Sequence, residues 1–403
     1  NSQTGWALSL LIVIVVLMFS GAFIQNGMLP ITATTANAMA TGITVLLVLS
    51  RLPQILSLRR AGRAILLLTA LALFSALWSV VPELSFRRGV VLTAITGIGF
   101  YIASRYSLRQ QAVFYSRILL FILLASLIVG MVFPVYGIHQ DIFQAGRWRG
   151  IFLHKNILGE YMSLTTLLFL FMPAQLIKMP RWFKYGMAGL ALFLLVLTGS
   201  LTSIGAWLVV MLMYPLLMTG RYDFRLRMTL VFITMSISIV ILAYIAQNFS
   251  EVLALIGRDE TFSGRNTIWP FLGELIAQRP ILGYGYMSFF VPESYLIEAS
   301  YRGVWQPEHA HNVWLDMGLS LGIVGVGLFA YILWRSLREI MQMYVDLYRM
   351  DVLFVLILLL NILARSMTET LAIQRRDCIW IMLISLTVRL FYEYRQQHNH
   401  VTV

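Results

Sequence analysis

The chain has 403 residues, of which 59% are hydrophobic and only 12% charged, about half the charged share of a soluble domain. Apolar runs of about 20 residues recur from end to end, the signature of a polytopic helical membrane protein, and no ten-residue alternation repeats as a β-barrel requires. The single cysteine, Cys378, excludes an internal disulfide and a zinc site built on two cysteines, and the +12 formal charge reads as topology-setting arginine rather than a nucleic-acid surface.

The first stretch, "NSQTGWALSLLIVIVVLMFSGAF", has no basic n-region and no small-residue cleavage site, so it reads as a first span and not a signal peptide. Hydropathy predicts about twelve spans, near 6–24, 33–50, 64–81, 89–104, 118–135, 157–177, 186–200, 203–219, 228–247, 311–333, 352–372 and 378–394. They make a single integral membrane domain over 1–403. Segments 51–63, 105–117, 178–184, 221–227, 335–349 and the C-terminal stretch carry most of the 30 lysines and arginines. Those segments are assigned to the cytoplasm, and both termini with them.

The opposite face should then be poor in cations. Arg87, Arg88, Arg147, Arg149, Lys155, Arg258, Arg265, Arg279, Arg302, Arg375 and Arg376 fall there against that bias. An anionic ligand on the outer face would favour them. Ordinary pairing with outer acids such as Glu251 and Glu260 is the plainer alternative.

In chain order, "GRWRGIFLHKNILGEY" (146–161) places Arg147, Arg149, His154, Lys155 and Asn156 just before a span. Guanidinium forks and an ammonium suit phosphate; the bland alternative is an interfacial loop anchored by Trp148. Glu160 would sit just inside the membrane, where an acid needs a partner, and Lys155 or Arg147 is the expected one. Residues 248–310 form one long outer loop. Within it, 266–278 shows helical spacing, with Ser263 or Asn266 as its cap and Arg265 at its positive end. "EHAHNVWLDMG" (308–318) follows. Asn312 is expected to cap the next span, and Asp316 to face away from lipid. On a helix His309 and His311 would point about 200° apart and not share one job. A histidine at the mouth of a bundle, behind an arginine-rich loop, is a candidate general base. Arg365 and Glu369 lie one turn apart in a span and are expected to pair with each other.

No DxD, HExxH, Walker or GxSxG pattern is present on the outer side. An enzyme built from these residues would use arginines for charge neutralisation and one base, with no metal or other cofactor. A transporter would instead concentrate charge at mid-membrane with inverted repeats, and no repeat is visible. A structural scaffold would not need the outer cations.

The segments "LWSVVPELSFRR" (77–88), "RWRGIFLHKNILGEY", "FSGRNTIWPFLGELIAQRPILGYGY" and "EHAHNVWLDMGLSLGIVG" together resemble the O-antigen ligase/polymerase (Wzy-C) superfamily, and most closely its O-antigen ligase (WaaL) branch. The resemblance implies a GT-C-like all-α membrane glycosyltransferase of the bacterial inner membrane with a periplasmic active site. It implies transfer of a glycan from an undecaprenyl-pyrophosphate carrier to lipid A–core with inversion and without metal. By resemblance His311 is the base, and Arg265 and Arg147 stabilise the departing pyrophosphate, helped by Arg149 or Lys155. His154, Asn156 and Asn312 lie in the matching motifs. His309 matches no set family position, and Arg87 and Arg88 either assist the phosphates or meet headgroups. A polysaccharide polymerase using the same donor is the runner-up; a lipid-linked glycan transporter is the alternative from another class.

Overall fold

The computed structural model describes residues 2–142, 144–218, 265–291, 294, 309–347, 350–369 and 378–399, with four single positions between 226 and 236. Its main elements are helices: α1 (Ser2–Ser20), α2 (Ala33–Ser50), α3 (Arg63–Phe74), α4 (Pro82–Arg105), α5 (Leu108–Val132), α6 (Lys155–Phe171), α7 (Arg181–Thr198), α8 (Leu201–Met218), α9 (Arg265–Gln278), α10 (Val313–Leu347), α11 (Met350–Ser366) and α12 (Cys378–Asn399). Short helical turns at Leu52–Ser57, Ser75–Leu77, Pro134–Gly137 and Ala174–Ile177 join them. Among the described residues the only extended pairing is an isolated bridge between Ile138 and Trp148. Five of the helical segments, Ala33–Ser50, Pro82–Arg105, Leu108–Val132, Arg181–Thr198 and Val313–Tyr344, are long and apolar enough to cross a membrane. Most of the expected ninth span (228–247) and of the 248–310 loop, with Arg258, Arg302 and Glu308, lies outside the described residues, as do Arg375 and Arg376.

Local chemistry sets the helix ends. Thr32 caps α2 by accepting from the Thr35 N–H, and Ser107 with Gln110 forms a capping box at α5. Pro82 opens α4, and Val81 before it is pushed out of the helical region (φ −133°, ψ 83°). The expected 64–81 span therefore stops at the Ser75–Leu77 turn. Pro173 cuts the 157–177 span in the same way. There the buried Lys184 donates from Nζ to the carbonyls of Leu170 (3.2 Å) and Met172 (3.0 Å), closing the end of α6. Two segments expected as basic loops, 108–117 and 335–347, are helix. Arginine ends the apolar pattern there but is itself a good helix former, so the backbone ladder runs on.

The helices α11 and α12 are apolar on nearly every side and are buried throughout 351–362 and 378–388. Around them α12 packs on α4, α8 and α10 pack on α11, and α6 is clasped by α5, α7 and α8.

The helix α10 breaks at Gly322 (φ 61°, ψ −161°), and the segment 280–287 fills the break. Tyr284 N donates to Leu319 O (2.7 Å), Gly285 N to Ser320 O (3.0 Å), and Ile323 N to Pro280 O (2.8 Å). On its other side the segment accepts from Val80 N at Tyr284 O (2.9 Å), from Trp78 Nε1 at Leu282 O (2.9 Å), and from Arg88 at Met287 O. The backbone groups freed by the break thus find protein partners, which is the condition for irregular backbone inside a bundle. Gly283, Gly285 and Gly322 all have positive φ (64°, 102° and 61°). A Cβ on them would collide with Leu319 O, Ser79 and Ile281 O respectively. Gly285→Ala or Gly322→Ala should each cost about 2 kcal/mol or more, from left-handed strain and collision combined. The readout is the thermal unfolding midpoint of detergent-solubilised protein, and an unchanged midpoint would contradict the interlock.

Candidate active site

The start of α6, the approach to α10 and the turn after α11 meet at one place. Asn312 caps α10 as expected, its Oδ1 accepting from Trp314 N (2.9 Å) and Leu315 N (3.2 Å). Its Nδ2 reaches across to Met367 O (3.2 Å). His311 sits at φ 53°, a left-handed conformation costing a residue with a Cβ about 1–2 kcal/mol. Its neighbours hold it there. His311 N donates to His309 Nδ1 (3.2 Å), Ala310 N to Asp316 Oδ1 (2.9 Å), and Trp269 Nε1 of α9 to Ala310 O (2.9 Å). Asp316 is buried, so it does face away from the surroundings. The expected divergence of His309 and His311 is not realised. Both precede α10, the chain doubles back, and the two rings lie 3.9 Å apart.

Behind His311 stands Glu369. The imidazole Nδ1 is 3.8 Å from Glu369 Oε2, with the carboxylate 2% exposed and the imidazole 22%. The other carboxylate oxygen accepts from Asn156 Nδ2 (2.7 Å). A buried carboxylate oriented by an amide therefore backs a half-buried imidazole, beyond direct hydrogen-bond range but within ion-pair range. The pairing expected inside the eleventh span is corrected: Arg365 pairs with Glu160 of α6. An arginine from α11 is thus an ion-pair partner of Glu160. α11 ends at Ser366; Arg365 within it reaches Glu160, while Glu369 in the turn beyond accepts from Asn156.

At the start of α6, His154 caps the helix, its Nδ1 accepting from Asn156 N (3.2 Å). The Lys155 N–H donates to Nε2 of His139 (3.2 Å), and the Lys155 side chain is buried. His139 was not singled out by sequence; the only available signal was the nearby Asp141. Its Nδ1 lies 3.1 Å from Asp141 Oδ2, and its ring is 5.4 Å from that of His154. Burial, and next the charge of Arg149, hold His139 below the ordinary histidine pKa, while Asp141 pulls the other way. With Nε2 accepting from Lys155, the proton belongs on Nδ1.

The two arginines of the "RWR" run have different occupations. Arg149 donates Nε to Tyr136 O (2.8 Å) and Nη2 to Val135 O (3.0 Å), so much of its fork is spent on backbone. Arg147 is exposed, and its guanidinium lies over Gly199, the left-handed cap of α7. The Trp148 ring packs against Gly130 of α5. Arg87 is exposed on α4, whereas Arg88 is committed to the Met287 carbonyl. Arg265 begins α9, which packs against α10; its side chain lies outside the described residues.

Two outcomes follow from this geometry. Arg365→Met removes the arginine from the buried Glu160 carboxylate and should cost about 3–5 kcal/mol, much of it recovered by adding Glu160→Gln. Thermal unfolding of the three proteins decides it: a double variant as unstable as the single one would contradict a buried pair. For His139, the folded pKa lies below the unfolded value of about 6.5. The unfolded chain therefore binds more protons as pH falls, and this part of the stability, complete at neutral pH, is lost below about 6.5. His139→Gln should flatten the fall in unfolding midpoint between about pH 7.5 and 5.5; an identical slope would remove His139 from that role.

Residues 186–330 match a family model described as O-antigen ligase. That stretch includes α9, His309, His311, Asn312 and the broken helix. The chain is 35% identical over 107 residues to a putative polysaccharide ligase of Rickettsia prowazekii, covering 26% of each protein. It is 26% identical over 290 residues to the exopolysaccharide production protein ExoQ of Rhizobium meliloti, covering 66% of this chain and 62% of that one. A putative polysaccharide ligase of Rickettsia felis is 39% identical over 79 residues, 18% of this chain and 19% of that protein. The chain thus spans about a quarter of the first relative's length and under two thirds of ExoQ's. The stretch similar to the O-antigen ligase family model thus includes His309, His311 and Asn312 and the first part of α10.

Proposed function

We propose that the protein is a polysaccharide ligase, an inverting glycosyltransferase that needs no metal and works on the periplasmic face of the bacterial inner membrane. Its donor is an O-antigen glycan on undecaprenyl pyrophosphate, and its acceptor is lipid A–core. The observation that carries this reading is the His311–Glu369–Asn156 arrangement. With Nδ1 turned toward the buried carboxylate, Nε2 on the opposite edge of the ring is assigned to take the proton from an acceptor hydroxyl. The hydroxyl oxygen attacks the anomeric carbon as the bond to the pyrophosphate oxygen breaks. Glu369 stabilises the imidazolium that forms, and Asn156 holds the carboxylate in line.

The departing pyrophosphate needs cations. Arg147, exposed and resting on the cap of α7, and Arg265, at the positive end of α9, are assigned that work. Arg149 serves chiefly by holding the turn that presents Arg147. Lys155, His154, Asn312 and His309 shape the surrounding wall, and Arg87 meets the carrier phosphates from α4.

The test is glycan attachment to lipid A–core by purified protein. His311→Ala should lower the rate about 100-fold or more, and Arg147→Ala about 100-fold, the weight of one transition-state cation. Arg265→Lys should not restore what Arg265→Ala loses, because an ammonium lacks the bidentate fork. Normal attachment by His311→Ala at normal protein level would sink the base assignment. EDTA inhibition rescued by a divalent ion would contradict the metal-free route. The similarity to a protein named for exopolysaccharide production favours one second reading, a polymerase that extends carrier-linked glycan. Extension of that glycan without lipid A–core would select it.

A further inference from the structure

A second cluster of arginines lies far from His311. Arg335 lies in the second half of α10, beyond the Gly322 break. Here a cavity of about 370 Å³ is lined by Arg60, Arg63, Tyr331, Arg335, Glu339 and Arg395. These residues come from three separate parts of the chain: the turn before α3 with its first residue, the second half of α10, and the end of α12. Four guanidinium groups face one carboxylate, so the lining carries a large local excess of positive charge. Like charges gathered at one concavity repel unless an anion joins them.

The least exposed arginine of the set is also preorganised. Arg335 is held by Glu339 (Nε to Oε1, 2.7 Å) and by the ring of Phe391, 4.9 Å beneath its guanidinium carbon. Its Nη2 is buried and has no hydrogen-bond partner. A buried guanidinium nitrogen without an acceptor is costly, and a ligand oxygen would satisfy it. Arg60, Arg63 and Arg395 are exposed around it. Beside the cavity, Tyr331 and Trp334 are 44% and 56% exposed, the kind of aromatic pair that sits at headgroup level.

We propose that this cavity binds a phosphate group, carried by an anionic phospholipid headgroup or by a soluble phosphate. Planar forks from several segments suit phosphate oxygens, and basic pockets between membrane helices take acidic headgroups. The site is separate from the proposed transfer chemistry and uses none of its residues. Its occupant would tie α3, α10 and α12 together at the end of the bundle remote from His311.

The test uses the purified full chain in detergent and native mass spectrometry, with phosphatidylglycerol, phosphatidylcholine and inorganic phosphate as probes. Wild type should retain phosphatidylglycerol or phosphate but not phosphatidylcholine. Arg60→Gln with Arg395→Gln should weaken retention about tenfold or more, roughly one charge-assisted contact. Both positions are exposed, so this variant should fold normally, and an unchanged unfolding midpoint checks that. Arg335→Gln should weaken retention further, with Arg335→Lys restoring only part. Phosphatidylglycerol retained in the presence of excess phosphate assigns the site to a headgroup; displacement by phosphate assigns it to a soluble ligand. Equal retention by wild type and the Arg60→Gln, Arg395→Gln variant, equal retention of phosphatidylcholine, or no retention of either anion would each overturn the proposal.

Discussion

The Glu160–Arg365 ion pair is the constraint on which the site depends. Both side chains are almost wholly buried, so neither charge is tolerable without the other. The pair sets the register of α6 against α11. Four residues back from Glu160 is Asn156, and four residues on from Arg365 is Glu369; these two also meet. The two contacts are successive rungs between antiparallel segments, one turn apart. The first is a stability requirement. The second inherits its geometry and passes it to His311. Replacement of such a pair by apolar residues is often neutral in energy, so its value here lies in position more than in strength.

A second constraint acts on the histidine from the other side. His311 occupies a left-handed conformation that its own backbone disfavours, and three contacts from different elements hold it. Strain kept in place by surrounding structure is a common property of functional positions. Further along α10, the Gly322 break is packed by the 280–287 segment. The same segment is bonded to the turn before α4. The loop preceding the site and the helix following it are thus parts of one packed unit. The approach of α9 through Trp269 adds the element that begins with Arg265.

Much of the helical pattern was legible in the sequence because apolar period and proline position are local properties. The Asn312 cap and the burial of Asp316 were legible for the same reason. Boundaries shifted where arginine ended the apolar pattern without ending the helix, as in α5 and α10. The ion-pair partners were not legible. Glu160 and Arg365 are 205 positions apart, and the local rule that pairs Arg365 with Glu369 assumes a helix that in fact stops at Ser366. His139 was missed because a histidine in an irregular turn has no period, and its significance depends on the turn that brings it to Lys155. The stacking of His309 on His311 was hidden by a similar assumption, that both already belonged to α10.

Counting outer cations also overstated how many are available to a ligand. Arg149 and Arg88 spend donors on backbone carbonyls. Lys155 lends its N–H to His139 and has a buried side chain. Some of these arginines serve to place others. Arg149 holds the turn, the turn carries Arg147, and the Gly199 cap beneath Arg147 leaves its guanidinium a flat place to rest. A residue with a side chain at position 199 would meet that guanidinium. The glycine required by the left-handed end of α7 is therefore also what lets the Arg147 guanidinium lie against it.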